Sequence, residues 1–389
     1  MKLVPEIVAF SDELTRIRRD IHAHPELGFQ EERTSALVAD LLAGWGVEVH
    51  RGIGQTGVVG VIRGDGRGRT IGLRADMDAL PMTEATGLAH ASARPNVFHG
   101  CGHDGHTTML LGAGKYLAEP RRFPGEAILI FQPAEEGLGG AVRMLADGLF
   151  QKFPCDEIYA LHTWPGAPVG RISLKMGVAM AAADNFEIEI LGRGAHGAQP
   201  HVAVDPVVAA VNIAQALQTI VSRNVDPLRA AIVSITQIHA GSAFNVIPDS
   251  ARLCGTIRTF DDHVRALVAE RMTSLAHAIA DGFGARARVN IDARFSVLNN
   301  SETQALAAME IARDLVGPAL TQFDTDPLSG SEDFADMLKA APGAYLLLGQ
   351  GDGPRLHTPR FDFNDDVAPI GAARLARIAD GRAAACRSS

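Results

Sequence analysis

Residues 98–113, Phe-His-Gly-Cys-Gly-His-Asp-Gly-His-Thr-Thr-Met-Leu-Leu-Gly-Ala, constrain this chain most, because no other window packs so many potential metal ligands into so little sequence. Cys101 and His103 lie two apart in a glycine-broken loop, and a locally extended backbone would point both side chains the same way, as a chelate requires. Met109, Leu110, Ala113, Tyr116 and Leu117 then recur at helical spacing, which starts a helix at Asp104 or a neighbour. Ligands at a helix N-terminus face the positive end of the dipole, where a thiolate is favoured over a thiol. Taken alone, a Cys-x-His pair fits a buried free cysteine beside surface histidines better than a metal site. The other segments have to decide.

Several of those segments end in candidate ligands. The helical pattern Phe10, Leu14, Ile17, Ile21 stops at His22-Ala-His24-Pro25, where the two histidines read as packing or cleft-lining groups without nearby carboxylates. A second helix spans 34–45. Gly52-Ile-Gly54-Gln-Thr-Gly57 imitates a dinucleotide fingerprint, but a strand run (Val58 to Ile62) follows where that fingerprint needs a helix, so a nucleotide cofactor is excluded. The buried strand 70–73 runs into Asp76-Met-Asp78, two carboxylates sharing one side as metal-site support or as loop caps. The apolar strand 126–131 ends in Gln132-Pro-Ala-Glu135-Glu136, and 157–161 ends in His162. A histidine, His357, likewise follows the strand 344–348. Ligand-type residues that recur past strand ends are what an open α/β sheet gathers at one edge, and this recurrence turns the Cys101 loop into a metal-site candidate.

From 184 to 297 the texture changes. Strand 185–191, helix 205–223, strands 230–238 and 252–260, helix 261–281 and strand 286–295 follow the β-α-β-β-α-β order of a ferredoxin-like module. It is inserted, because the first domain resumes at Leu298 with a helix (303–315), a second helix opened by Ser331-Glu-Asp333 with N-cap chemistry, and a final helix from about Val367. A length of 389 residues agrees with two domains, 1–183 with 298–389 and 184–297. The small sheet invites dimerisation.

Composition narrows the setting. The net charge of −9 without a long basic run argues against nucleic acid and anionic membranes as partners. Acidic residues interrupt the N-terminus too early for a signal peptide, and no apolar span reaches the ~20 residues of a membrane helix. Cys101, Cys155, Cys254 and Cys386 are too scattered for a disulfide framework, which places the chain in the cytoplasm.

Nine segments in order carry a resemblance over essentially the whole chain: His22-Ala-His-Pro-Glu-Leu-Gly, Arg74-Ala-Asp-Met-Asp-Ala-Leu-Pro, His99-Gly-Cys-Gly-His-Asp-Gly-His, Pro133-Ala-Glu-Glu-Gly, His162-Thr-Trp-Pro-Gly, Gly194-Ala-His-Gly-Ala-Gln-Pro-His, Asn245-Val-Ile-Pro, Gly330-Ser-Glu-Asp-Phe and His357-Thr-Pro. The sequence resembles the aminoacylase/carboxypeptidase clan of two-metal hydrolases, in the branch of hippurate hydrolases, N-acyl-amino-acid amidohydrolases and auxin-conjugate hydrolases. The resemblance implies an α/β catalytic domain with a mixed central sheet flanked by helices and an inserted ferredoxin-like lid or dimerisation domain. It implies that Cys101, His103, Glu136, His162 and His357 bind two divalent ions, Cys101 bridging them, and that Zn, Mn, Co or Ni suits this donor set. Asp76 and Asp78 support that site, and His99, Asp104 and His106 support the loop. Glu135 and Glu136, as neighbours on an extended strand, would point to opposite sides; the family makes Glu135 the general base and Glu136 the ligand. His196 would donate to the oxyanion, in similar enzymes from a partner subunit, with Asn245 beside it and Arg258 as either a carboxylate-binding group or a surface ion pair. Many relatives have Gly-His-Ala where this chain has Gly194-Ala-His-Gly-Ala, which weakens the lid contact. The implied reaction is hydrolysis of an N-acyl amino acid, N-benzoylglycine first, by a homodimer or homotetramer. N-acetyl-amino-acid or N-acetyl-diaminopimelate deacetylation, auxin-conjugate cleavage, peptide cleavage and non-catalytic metal binding are the alternatives.

Overall fold

The structure is a computed structural model, and it describes residues 1–2, 4–119 and 123–384; Cys386 lies outside them. The polypeptide divides into two units. The first holds Met1–Ala179, Asn299–Pro327 and the chain from Asp333 onward; the second holds Met180–Leu298 and Leu328–Glu332.

The first unit is built on an eight-stranded mixed sheet in the order Glu48–Ile53, Gly57–Arg63, Pro124–Gln132, Gly66–Asp76, Glu157–Trp164, Gly343–Gly349, Ile172–Leu174, Thr321–Phe323. Its four central strands, Pro124–Gln132 through Gly343–Gly349, are mutually parallel, and the outer ones add antiparallel pairings. Parallel strands are covered on both faces and so read as continuous apolar runs: Ala127 to Phe131, Ile158 to Leu161 and Ala344 to Leu346 are buried without alternation. The three-residue strands Ile172–Leu174 and Thr321–Phe323 are too short to leave a period in the sequence. Because the central strands run the same way, the chain leaves all four at one edge, after Asp76, Gln132, Trp164 and Gly349.

The helix His103–Ala118 is the core of this unit, buried at every position except Lys115 and Tyr116. Its neighbour Ala368–Ala383 approaches so closely that a Cβ at Gly112 would stand 2.8 Å from the Ala372 Cβ, and one at Gly371 would stand 1.9 Å from the Met109 sulfur. Close packing of this kind leaves little room for displacement, so the helix start is a rigid platform. The expected side-chain cap before Phe334–Ala340 is not made. The Asp333 carboxylate instead accepts from Arg74, Gln132 and the Ala141 amide, buried donors that are costly to leave without an acceptor.

In the second unit four antiparallel strands take the order Ala231–Ala240, Ser250–Thr259, Ala182–Leu191, Arg286–Phe295. Helices Pro206–Thr219 and Asp262–Gly282 follow the first and third strands in sequence, and their apolar faces share a core with Phe186, Ile188, Ile190 and Leu253. Asp205 and Asp261 cap them, accepting from the amides of Val207 and Val208 and of Val264, with Pro206 at the first helical position. Ala231–Ala240 is an edge strand whose second half is exposed. Among the described residues no helix is long and apolar enough to cross a membrane.

Candidate active site

The ligand-type residues of the first unit meet where the sheet's parallel strands end. Gly102, at φ 89°, turns the chain sharply between Cys101 and His103, so His103 is the first residue of its helix and not part of an extended loop. A Cβ at Gly102 would lie 2.7 Å from Thr163, so the turn belongs to glycine for both reasons. His103 donates Nδ1–H to the Asp78 carbonyl (2.9 Å), and His162 donates Nδ1–H to the Thr163 carbonyl (2.6 Å). Each ring is thereby fixed with its Nε2 lone pair turned inward, the outer hydrogen bond typical of a metal-binding histidine. His162 Nε2 lies 3.5 Å and His357 Nε2 3.3 Å from the Cys101 sulfur, and His357 Nε2 lies 3.2 Å from Glu136 Oε1. His357 reaches this position at φ 59°, a left-handed conformation that costs a non-glycine residue of order 1–3 kcal/mol and that clusters at functional sites. Its amide is held by the Gly100 carbonyl.

Two groups of ligand atoms result, Cys101 with His103 and His162, and Cys101 with Glu136 and His357, each converging within 4.8 Å. Cys101 is common to both. A third combination, Asp76 with His103 and His106, is equally tight, but His106 has no lone pair to offer: its Nδ1–H donates to Asp76 (2.6 Å) and its Nε2 accepts from the Thr163 amide (2.9 Å).

The donor set fits two divalent ions. His103 Nε2 is buried without a hydrogen-bond partner, which a closed site does not otherwise tolerate. The electrostatics agree. Burial, reinforced by the Glu136 charge, pushes the Cys101 thiol up, so the helix N-terminus alone does not produce the expected thiolate. Hydrogen bonds to Cys101 and Glu136 raise His357 to about 10. Cys101 and His357 would give up these protons on serving as ligands to a divalent ion.

Glu135 and Glu136 lie in a turn beyond the strand end, closed by the Gly137 amide on the Glu135 carbonyl (2.6 Å). Strand alternation therefore does not apply, and carboxylate oxygens of both converge with His103 within 4.8 Å. Asp78 fixes the turn, its Oδ1 accepting from the Glu135 amide and its Oδ2 from the Glu136 amide, each at 2.9 Å. Asp78 is thus a loop cap, while Asp76 orients His106. His22 is buried and donates to Asp104 at 2.7 Å; the carboxylate partner missing from its sequence neighbourhood comes from 82 residues away. His99 is buried with neither ring nitrogen partnered. His24 is exposed, and its ring lies against the Asp20 carbonyl and carboxylate.

The remaining candidates lie in the second unit. His196 is exposed on the short strand Ala195–His196, paired opposite Val246, and the Gly197 amide donates to the Asn245 carbonyl (2.7 Å), so His196 and Asn245 are neighbours. The Ala198 amide donates to His196 Nδ1, leaving Nε2 as the donor. Arg258 is half-buried and bonds to the Ile257 carbonyl; among the described residues no carboxylate forms an ion pair with it, so the surface ion pair is not what holds it.

Comparison with known proteins places this geometry. The model of peptidase family M20/M25/M40 matches residues 72–381. The chain belongs to the peptidase family M20/M25/M40. As a member of the M20/M25/M40 peptidases it is a hydrolase. It is 44% identical over 379 residues to a hippurate hydrolase of Campylobacter jejuni, covering 97% of this chain and 99% of that one. It is 39% identical over 390 residues to thermostable carboxypeptidase 1 of Saccharolobus solfataricus, covering 97% of each. A Bacillus subtilis crystal structure, described as a dinuclear metal-binding peptidase of the M20 family, superposes with a TM-score of 0.84 at 35% identity, over 96% of this chain and 99% of that one.

Proposed function

We propose that this M20 hydrolase cleaves the amide bond of N-acyl amino acids, N-benzoylglycine foremost, to a carboxylic acid and a free amino acid. The observation that carries the reading is the Cys101 sulfur common to two ligand groups, with the carboxylates of Glu135 and Glu136 converging on His103 beside them. Two divalent ions held by Cys101, His103, Glu136, His162 and His357 would polarise the amide carbonyl and acidify water. Three imidazoles, one thiolate and one carboxylate together suit Zn, Mn, Co or Ni, and hardly Ca or Mg. Glu135 takes the proton of the attacking water and passes it to the departing amine; a site that only bound metal would need no such extra carboxylate. His196 Nε2 donates to the oxyanion, Asn245 stands beside it, and the guanidinium of Arg258 takes the substrate carboxylate as a bidentate match.

The same reading makes residues 184–297 a lid and dimerisation module of a cytoplasmic homodimer or homotetramer. The exposed edge strand Ala231–Ala240, with Ile232 and Ile238 uncovered, supports self-association there, because an unpaired edge is a template for another chain. Mixing His196→Ala and Glu135→Gln chains recovers activity in hybrids if His196 acts across subunits; no recovery despite subunit exchange refutes that role.

Likeness to a carboxypeptidase supports a second reading, peptide cleavage by the same machinery. Chelator-stripped protein restored singly with Zn, Mn, Co or Ni, and assayed on N-benzoylglycine, N-acetyl amino acids and dipeptides, separates the two. Faster turnover of dipeptides than of any N-acyl amino acid overturns the first.

A further inference from the structure

We propose that Glu31 is a positioning residue for Glu135, acting through the backbone of Ala134; the proposal rests on Glu135 being the general base. Glu31 precedes the helix Glu32–Gly44 and is fully buried, yet its side chain does not cap that helix. That end is served by Glu26, whose carboxylate accepts from the amides of Arg33 and Thr34 and from the Thr34 hydroxyl. Glu31 is therefore spare as far as its own helix is concerned. It turns to the loop that carries the two glutamates, accepting from the Ala134 amide at 2.8 Å and from the Thr56 hydroxyl at 2.6 Å.

Ala134 is the residue that most needs holding. It is buried, it directly precedes Glu135, and it is a non-glycine residue at φ 55°. Such a conformation persists only where its surroundings over-determine it. The surroundings here are specific: Glu31 on the amide, the Gly140 amide on the carbonyl at 3.1 Å, and Gly28 packed so close that a Cβ there would stand 2.9 Å from the Ala134 Cα. The next two amides, of Glu135 and Glu136, end on Asp78. Three successive amides are thus tied to two buried carboxylates reaching in from different segments. Asp78 fixes the turn itself, and Glu31 fixes the dihedral by which the chain enters it. Without Glu31 the Ala134 amide has no acceptor, the left-handed φ relaxes, and the Glu135 carboxylate leaves its place while the fold around it persists.

The test uses the full chain reconstituted with Zn or Mn, comparing wild type with Glu31→Ala, Glu31→Gln, Glu31→Ala/Ala134→Gly and Glu135→Gln. Measured are kcat and KM for N-benzoylglycine, metal bound per chain, near-ultraviolet circular dichroism, and hydrogen–deuterium exchange of the peptide spanning 132–137. Glu31→Ala is expected to lower kcat at least tenfold with KM within threefold, and to speed exchange of that peptide. Glu31→Gln keeps an acceptor for the Ala134 amide and is expected to stay within threefold of wild type. Ala134→Gly, which makes the positive φ free of strain, is expected to restore part of kcat in the Glu31→Ala chain. If Glu31→Ala does not fold, Glu31→Asp, one methylene too short to reach, is read by the same measures. Wild-type kcat and exchange in the shortened variant overturn the proposal, and so does an equal loss in Glu31→Gln and Glu31→Ala, which would make charge and not geometry the cause. If Glu135→Gln turns over like wild type, the assignment of the base fails and the positioning role with it; an inactive Glu135→Gln beside a fully active Glu31→Ala sinks the positioning role alone.

Discussion

Asp78→Asn exchanges an acceptor pair for one acceptor and one amide donor. Both carboxylate oxygens are in use, each 2.9 Å from a backbone N–H, and the side chain is 0% exposed, so water cannot substitute. A hydrogen bond to a buried charged acceptor contributes about 1.5–3 kcal/mol, and the N–H left facing an amide NH2 adds its own desolvation penalty. The surviving bond also falls from a charged to a neutral acceptor. Together these put the loss at about 2–4 kcal/mol for the first unit. The turn that loosens carries both Glu135 and Glu136, and the Asp78 carbonyl also orients His103, so metal affinity should fall about 10–100-fold, as it does when groups behind a ligand are removed. Urea unfolding of the metal-free protein at pH 7, together with Zn titration, reads both quantities. An Asp78→Asn protein that unfolds at the wild-type urea concentration and binds Zn as tightly refutes the loop-cap role.

Further outcomes follow from the same geometry. Cys101→Ser should lower occupancy of both metal sites, whereas His103→Ala should weaken mainly one, as counted by metal analysis after dialysis. Glu135→Gln should keep its metal and its fold while losing about 10²–10⁴-fold in kcat. His22 gives a pH signature: burial opposes its charge, but the Asp104 hydrogen bond and charge win and raise it to about 9. A histidine raised in the folded state contributes stability that is full below its unfolded value near 6.5 and is lost as pH rises through about 9. The shift corresponds to about 3 kcal/mol. The difference in unfolding free energy between wild type and His22→Gln should therefore shrink across pH 6.5–9, and a difference constant over that window would contradict the assignment.

Much of this was legible in the sequence because strand ends and motifs fall together. Cys101, His103, Glu136, His162 and His357 each follow a glycine turn or an apolar run, and apolar runs of four to six residues mark buried parallel strands. What the sequence hides is long-range partnership. Nothing near His22 announces Asp104, and nothing near Glu31 announces Ala134, since the contacts span 82 and 103 residues. Glu31 in Gln30-Glu-Glu-Arg reads as ordinary charge at a helix start, and only its burial betrays another task. Backbone turns mislead in the same way. Extended-chain reasoning fails at Gly102 and at Glu135–Glu136, where a left-handed residue precedes each bend and sets side-chain directions that periodicity does not carry.

The most direct measurement is benzoate release from N-benzoylglycine while chelator-stripped protein is titrated with Zn or Mn. Turnover should be absent without metal and rise to its maximum as the second ion per chain is bound. Full activity in the stripped protein, or no release from any N-acyl amino acid at two ions per chain, would contradict a hydrolytic centre built around Cys101.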